Sequence, residues 1–321
     1  MSGTKLAVFP AAGALGTSIY THLLDLKLVE PTDVLLVSRH PEKIAAKYKD
    51  SGIEARRADY DEPQSFDHVF DGVSCLHLIS YPTFAHKRRT EVHKLAIDAA
   101  RHAGVSHIFY SSLAFGGDCK LDSKAHVMQA HLDTEKYLAS IAAEDSSFTY
   151  TAVRQGIYSE SFPIYTAFFT LKSENSQIQI PHDGSGPGIA WAKRDELGEA
   201  TAQLTAQYVK SPKSFTYNNK TLLLSGPRVW GYDETLKVLG KAAGKDLHIQ
   251  QVSVDEYVDQ PSMQTFNEPY GPGETGRMWA TAFEAIKDGE CAVPSTMLGE
   301  LLGREPEKYE DTIATIGKSI S

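Results

Sequence analysis

The stretch KLAVFPAAGALGTSIYTHLL, from Lys5 to Leu24, decides the fold that the rest of the chain must complete. A short apolar run, Leu6 to Phe9, meets a turn rich in glycine and alanine, and a helical pattern with Leu15, Ile19 and Leu23 on one face follows. A strand, a tight turn and a helix in this order are typical of the opening of a dinucleotide-binding βαβ unit. The stretch therefore predicts a nucleotide site near the front of the chain.

The turn after this first strand is where we expect the phosphates. A pyrophosphate reaches the free N–H groups at a helix start only where the preceding turn carries small side chains, and Gly13 and Gly16 give that clearance. The usual G-x-x-G-x-x-G form begins with glycine, whereas this turn begins with Pro10, which has no N–H to donate. Gly13 also fits an ordinary helix cap. The predicted contact residues of the turn are Pro10, Ala12, Gly13, Ala14, Leu15 and Gly16.

The residues after the second strand distinguish between the two nicotinamide dinucleotides. Val34 to Val37 is a buried-strand run, and Ser38-Arg39-His40 follows it, where a protein that prefers NAD carries an acidic residue for the ribose 2′-OH. Arg39 offers a fork of donors to a 2′-phosphate, and Lys43 adds a second positive charge. A solvated surface arginine is the alternative for Arg39. The pattern predicts NADP(H) as the cofactor.

The next two strands are predicted to end at the same edge of the sheet, where parallel strands line a ligand crevice. Asp59 and Tyr60 close the third strand, which we expect over 53–60. Asp59 is placed to accept from the adenine amino group, and an N-terminal carboxylate for the following helix is the equal alternative. Val73 to Ile79 is the fourth strand and runs into Ser80 and Tyr81, before a helix expected over 84–103.

The fifth strand, His107 to Tyr110, runs into Ser111 and Ser112. Small hydroxyl residues at the carboxyl end of a strand beside the nicotinamide can bind the cofactor or a substrate carbonyl, and we assign Ser111 to the first role and Ser112 to the second. Both serines are equally ordinary as turn residues. The helix that follows carries the pattern HVMQAHLDTEKYLASI, from His126 to Ile141.

Composition limits the class of protein. The chain has 321 residues, of which 41% are hydrophobic, so it is long enough for one large domain or two lobes. A formal net charge of −9 argues against nucleic acid as a partner. Cys75, Cys119 and Cys291 have neither metal-ligand spacing nor a disulfide framework, so no metal site is predicted. Without a signal peptide or a run of about 18 apolar residues, we expect a cytoplasmic protein with no membrane partner.

Two segments near the middle of the chain carry a family resemblance. They are HLDTEK, from His131 to Lys136, and FTYTAVRQGIYSE, from Phe148 to Glu160, with further likeness at AKRD, 192–195, and LLLSG, 222–226. The chain resembles the NmrA-like atypical short-chain dehydrogenase/reductase family, and is most similar to its NAD(P)H:quinone oxidoreductase type 2 subgroup. It has no tyrosine four residues before a lysine, so it lacks the Tyr-x-x-x-Lys acid of ordinary short-chain dehydrogenases.

The resemblance implies further site residues. His131 stands where many relatives carry a lysine near the nicotinamide ribose, so it is a candidate to orient the cofactor or to deliver a proton near neutral pH; a helix-surface histidine is the alternative. Tyr158 is a candidate to cover the nicotinamide or to donate its hydroxyl, and a packing role is equally open. Beyond the first turn and Arg39, the resemblance implies NADP(H) contacts at Ile79, Ser80, Tyr81, Gln155, Gly156, Ile157 and Tyr158.

The pattern and the resemblance together predict a doubly wound parallel α/β sheet of the Rossmann type with a smaller α/β C-terminal lobe. We expect an NADP(H)-binding domain over 1–157 and a substrate lobe over 158–321, with segments near 190–226 returning to the first domain. In the lobe, the apolar run FPIYTAFFTL, 162–171, is predicted at helical spacing. Two loops rich in glycine and proline, 181–189 and 267–276, are candidates for a lid, with an aromatic wall beyond the second.

Three functions remain compatible with the sequence. The first is an NADPH-dependent reductase of a quinone or another conjugated carbonyl compound, since a quinone accepts a hydride without a strong acid. The second is an NADP(H)-sensing regulatory protein with little catalysis, which would bind a protein partner. The third is a redox-neutral isomerase or cyclase on the same fold. A homodimer is possible in each case, and the fold does not choose among them.

Overall fold

The computed structural model describes residues 5–44, 48, 50–263 and 273–320. The strands are β1 Leu6–Phe9, β2 Val34–Ser38, β3 Glu54–Arg57, β4 Cys75–Ile79, β5 His107–Leu113, β6 Thr149–Gln155, β7 Gln177–Ile180, β8 Lys220–Leu224 and β9 His248–Gln251. Seven of them form one parallel sheet in the order β3-β2-β1-β4-β5-β6-β8. The strand order reverses between β1 and β4, which is the point where ligands bind in open α/β sheets.

Helices cover both faces of this sheet, as predicted for a doubly wound fold. The helices are α1 Ala14–Asp25, α2 His86–His102, α3 His126–Glu144, α4 Phe162–Tyr165, α5 Arg194–Lys210, α6 Tyr232–Ala243, α7 Val254–Val258, α8 Glu274–Lys287, α9 Met297–Leu302 and α10 Tyr309–Ile320. On one face of the sheet, α1 and α5 pack against each other and against one set of alternate strand residues, among them Leu6 and Phe109. On the other face, α2 and α3 pack against the opposite set, among them Ala7 and Ile108.

The C-terminal half contributes to both parts of the molecule. Strand β8 pairs with β6 and α5 packs on α1, so the segment around 190–226 lies with the large sheet. The rest forms a smaller lobe in which β7 and β9 pair in parallel and helices α6, α7, α8 and α10 surround a core of aromatic side chains. The predicted α/β class with a smaller C-terminal lobe is confirmed.

Some element boundaries differ from the predictions. The run 162–171 is helical only over Phe162–Tyr165, because Ala167 and Phe168 have positive φ angles of 51° and 61°, which an α-helix does not allow. After Asp59 the chain forms a short 3-10 helix, Pro63–Phe66, instead of a longer helix. Strand β5 continues through both serines to Leu113. Of the second predicted lid loop, 267–272 lies outside the described residues, while Trp279 and Phe283 of the predicted aromatic wall are buried core residues on α8.

Candidate functional site

A cleft of about 280 Å³ opens at the carboxyl ends of β1, β2, β3 and β4. Eight of the residues predicted to bind the cofactor line it, namely Pro10, Ala12, Gly13, Arg39, Lys43, Asp59, Tyr60 and Tyr81. Ser80 directly precedes Tyr81 in the chain. The topology therefore brings together residues from four separate strand ends at the switch point of the sheet.

The turn between β1 and α1 is shaped for a close backbone approach. A Cβ added to Gly16 would lie 2.3 Å from the carbonyl oxygen of Pro10, so only glycine fits there. The Ala11 N–H donates to Val37 O over 2.8 Å, which anchors the turn to β2. Gly13 caps α1 without a side-chain hydrogen bond, and the first helical turn carries no acidic residue. The N–H groups at this helix start are thus open to an anion.

Positive side chains that follow β2 line the cleft. Arg39 is 58% exposed at its side chain, and its Nε lies 3.2 Å from His40 Nε2 and 3.9 Å from Asp59 Oδ2. Lys43 lines the same cleft from a 3-10 helix, Pro41–Lys43. Such a fork next to an ammonium group suits a phosphate dianion.

Aromatic side chains also line the cleft. The rings of Tyr60 and Tyr81 lie 5.0 Å apart, and the Tyr60 hydroxyl donates to Ile79 O over 2.9 Å. Asp59 is buried, and its Oδ1 accepts from the Asp61 N–H over 3.1 Å, so its carboxylate closes a local turn while its Oδ2 faces Arg39. A flat base would find apolar walls here.

Two buried residues that the sequence did not suggest hold the loop after β4. His93 Nε2 lies 2.9 Å from the Tyr81 backbone N and 3.2 Å from Ser80 Oγ, and Arg89 Nε donates to Ser80 Oγ over 2.9 Å. Both residues are on α2, four positions apart, on the face that also carries the buried Val92 and Ala96. That spacing was the available signal, because charged and polar residues on an apolar helical face require partners.

The structure corrects the prediction for His131. It is 2% exposed, with Nε2 2.9 Å from Arg89 Nη2 and Nδ1 2.9 Å from the Tyr110 hydroxyl. Burial, followed by the nearby Arg89 charge, holds the pKa of the imidazole well below its usual value. Because both ring nitrogens are occupied and the ring stays neutral, His131 is unsuited to delivering a proton near neutral pH. It is neither a helix-surface histidine nor a free acid.

Ser112 is also corrected. Its hydroxyl is buried and donates to Glu135 Oε1 over 2.6 Å, so it does not face a substrate carbonyl. Glu135 in turn forms a two-point ion pair with Arg154, at 2.7 Å and 3.0 Å, and the Arg154 side chain is fully buried. Arg154 also donates to the carbonyl groups of Phe115 and Lys120. This group of residues fixes the loop after β5.

Ser111 and Gln155 differ from Ser112 in having unused polar atoms. Both are buried at the carboxyl ends of β5 and β6. Within the described residues, Ser111 Oγ and Gln155 Oε1 have no hydrogen-bond partner, although Gln155 Nε2 donates to Thr201 over 3.0 Å. Buried polar atoms without partners are costly, so a bound group or a water is expected beside them.

The remaining predicted residues divide between backbone and side chain. Leu15 and Ile157 are core side chains, which leaves only their backbones for a ligand. A Cβ on Gly156 would lie 2.7 Å from Leu224 O, so this glycine permits the close pairing with β8. Tyr158 is half-buried and bridges to Ala192, with the Arg194 guanidinium 6.0 Å from its ring, and desolvation raises the pKa of its hydroxyl to about 12.

Two general features complete the description of the surface. No group of three or more histidine, cysteine or carboxylate residues in the described ranges is arranged to hold a metal ion. Among the helices that the structure describes, none combines the length and the apolar character needed to cross a membrane.

Comparison with known proteins gives consistent results. The model of the NmrA-like family matches residues 2–270. The chain is 29% identical over 308 residues to the NmrA-like family domain-containing oxidoreductase flvB of Aspergillus flavus, covering 94% of this chain and 92% of that protein. It is 29% identical over 309 residues to quinone oxidoreductase 2 of Escherichia coli, covering 96% and 97% of the two chains.

Solved structures with a bound cofactor share the fold. The structure of a Citrobacter sp. triphenylmethane reductase complexed with NADP(H) superposes with a TM-score of 0.73 at 28% identity, covering 97% of this chain and 99% of that one. The structure of an NADPH-dependent quinone oxidoreductase from Escherichia coli complexed with NADPH gives a TM-score of 0.76 at 25% identity over the same shares of the two chains.

Proposed function

This chain belongs to the NmrA-like family, and because the relatives it resembles are named oxidoreductases, we propose that it transfers a hydride from NADPH to a quinone or a related conjugated carbonyl compound. The observation that carries the proposal is the cleft at the switch point. Its lining combines the cationic side chains Arg39 and Lys43, the turn that opens α1, and the Tyr60 and Tyr81 side chains.

The residues present fit NADPH. Arg39 and Lys43 would hold the 2′-phosphate, and the N–H groups at the start of α1 would hold the pyrophosphate. The adenine would lie between the aromatic walls near Asp59. Ser111 Oγ and Gln155 Oε1, which lack partners among the described residues, lie at the ends of β5 and β6 and would bond the nicotinamide half. These roles account for polar atoms whose burial would otherwise be unfavourable.

NADPH supplies the hydride, and the overall reaction consumes one further proton from solvent to give the hydroquinone and NADP⁺. The chain contributes orientation, exclusion of water and a hydrogen-bond donor for the oxygen on which charge develops. We assign that donor role to the Tyr158 hydroxyl. A tyrosine hydroxyl is protonated at neutral pH and can donate, and Tyr158 follows the carboxyl end of β6, three residues after Gln155.

The experiment that tests this proposal measures NADPH oxidation with a panel of acceptors. The panel contains a benzoquinone, a naphthoquinone, an α,β-unsaturated ketone and a triphenylmethane dye. We expect at least one quinone to be reduced with a stoichiometry of one NADPH per hydroquinone. Tyr158→Phe should lower kcat by roughly 10-fold or more if its hydroxyl assists the oxyanion.

The same panel distinguishes the two other functions. If the protein binds NADPH but does not oxidise it with any acceptor of the panel, the hydride-transfer proposal is wrong and a cofactor-sensing role gains support. If a substrate is converted while NADPH is not consumed, the chemistry is a redox-neutral isomerisation or cyclisation. No feature of the described residues favours either function over reduction.

A further inference from the structure

The loop after β4 lies between the proposed cofactor site and a polar cluster inside the fold. Tyr81 lines the cleft, and its backbone N–H donates to His93 Nε2 over 2.9 Å. Ser80, one residue earlier, accepts from Arg89 Nε over 2.9 Å. The conformation of this loop is therefore fixed by His93 and Arg89, two residues of α2 that do not line the cleft.

Hydrogen-bond donors fix the protonation of His93. A backbone N–H can only donate, so the Tyr81 contact requires His93 Nε2 to be the acceptor nitrogen. The proton then lies on Nδ1, which is 2.9 Å from Thr134 Oγ1. That hydroxyl can accept, because it donates its own proton to Ala130 O over 2.7 Å. His93 thus connects the loop to helix α3 as a neutral imidazole with one defined tautomer.

The same reasoning applies to His131. The Arg89 guanidinium can only donate, so His131 Nε2 is the acceptor, and Nδ1–H donates to the Tyr110 hydroxyl on β5. Arg89 also donates to Val127 O over 3.2 Å. Arg89 is consequently held by two positions of α3 and in turn holds Ser80. The cluster connects α2, α3 and β5 with the loop at the edge of the cleft.

We propose that His93 and Arg89 are positioning residues for the cofactor, which hold the Ser80–Tyr81 loop in the conformation that NADPH requires, with His131 keeping Arg89 in place. This inference rests on the proposed function, because it concerns the same cleft. It assigns to His131 an indirect role behind the site in place of direct contact with the nicotinamide.

The test compares substitutions of His93 with a matched control. His93→Leu removes the acceptor for the Tyr81 N–H, while His93→Gln offers an amide oxygen as a replacement acceptor. His77→Leu is the control, because His77 is a fully buried histidine on β4 whose Nε2 bonds Thr205 on the opposite face of the sheet. All variants are measured well below their unfolding temperatures, and NADPH binding is followed by titration.

We expect His93→Leu to raise the Kd for NADPH by about tenfold, equivalent to ~1.4 kcal/mol. His93→Gln should recover most of this loss. The KM for the acceptor and kcat at saturating NADPH should remain near the wild-type values, because the loop contacts the cofactor only. His77→Leu should lower the unfolding temperature without changing the Kd for NADPH.

Two results would overturn the inference while leaving the proposed function intact. One is a His93→Leu protein that binds NADPH as tightly as the wild type. The other is an equal rise in Kd for His77→Leu, which would show that only general stability is involved. If the wild-type protein itself does not bind NADPH, the proposed function and this inference both fail. Nitrogen chemical shifts of labelled His93 provide an independent check, since they must report Nδ1–H.

Discussion

At the residue scale, the buried ion pair between Glu135 and Arg154 explains why the hydroxyl of Ser112, a catalytic candidate in the sequence, does not face a substrate. The Ser112 side chain points to the α3 face of the sheet, where Glu135 accepts a hydrogen bond from its hydroxyl. Nothing in the order of residues indicates that a carboxylate lies opposite this serine, because the contact joins a strand to a helix 23 positions later. Arg154, which directly precedes the predicted cofactor contact Gln155, is fully buried and donates to carbonyl groups of the loop after β5.

The roles of these three residues are separable by substitution. Ser112→Ala removes one hydrogen bond to a charged group, so we expect a loss of ~1–3 kcal/mol in the free energy of unfolding and an unchanged kcat. Glu135→Ala leaves the buried Arg154 charge uncompensated and should cost about 3–5 kcal/mol. Urea unfolding and NADPH-dependent quinone reduction measure the two effects. A Ser112→Ala protein that folds normally but has lost its activity would restore Ser112 as a catalytic candidate.

At the element scale, the first βαβ unit was predictable and the surroundings of the helices were not. The apolar run, the small turn residues and the helical period of 5–24 determine a local structure, because the covalent spacing alone sets which residues share a face. The position of Arg39 was predictable for the same reason, because it directly follows the apolar run of β2. By contrast, Arg89, His93 and His131 acquire their partners only when α2 packs on α3, and sequence spacing gives no information about which residues of two helices meet.

This packing leaves several buried histidines neutral, both in the strands and in the helices that cover the sheet. The free energy of unfolding therefore depends on pH. Desolvation lowers the pKa of His77 and His107 to about 3, and lowers that of His93 and His131 well below the usual value. In the unfolded chain these rings take up protons below pH ~6.5, whereas in the folded protein they do not. The unfolded state therefore binds more protons, and stability falls as the pH decreases through this range.

We predict that the free energy of unfolding decreases steadily between about pH 6.5 and pH 5, with each such histidine contributing at most ~1.4 kcal/mol per pH unit. His22, whose pKa is raised by the hydrogen bond to Asp195, adds stability that develops as the pH falls toward ~6.5 and stays nearly constant below it, so it does not offset the trend in this window. Urea unfolding across this range gives the measurement, and His77→Leu, which removes one titrating ring, should reduce the slope. Stability that stays constant down to pH 5 would contradict the buried neutral histidines.

At the scale of the whole molecule, the two halves of the chain are interleaved. The apolar face of α1 packs against α5, and β6 pairs with β8, so the cofactor domain predicted over 1–157 shares its core with residues near 190–226. The division into a 1–157 domain and a 158–321 lobe remains a prediction about function. It does not describe two structural units that are separated along the chain.

A fragment of residues 1–157 should therefore fail to fold on its own. It would expose the edge of β6 and the apolar side chains Leu15, Ile19 and Leu23, which pack in one cluster with Leu197 and Leu204 of α5. We expect this fragment to aggregate or to lack a cooperative unfolding transition, whereas the full chain unfolds cooperatively. Circular dichroism during thermal unfolding gives the comparison. A soluble fragment with a sharp transition would show that the sheet needs neither α5 nor β8.

The central claim is that the cleft binds NADPH and that Arg39 recognises its 2′-phosphate. The most direct measurement is a titration of the protein with NADPH and NADH, in parallel with Arg39→Ala and with Arg57→Ala as a matched control. Arg57 lies opposite Ser38 on the adjacent strand, is similarly exposed and pairs with Glu62. We predict that the wild type and Arg57→Ala bind NADPH at least tenfold more tightly than NADH, and that Arg39→Ala abolishes the difference. Equal affinity of the wild type for both nucleotides, or no binding of either, would contradict the account.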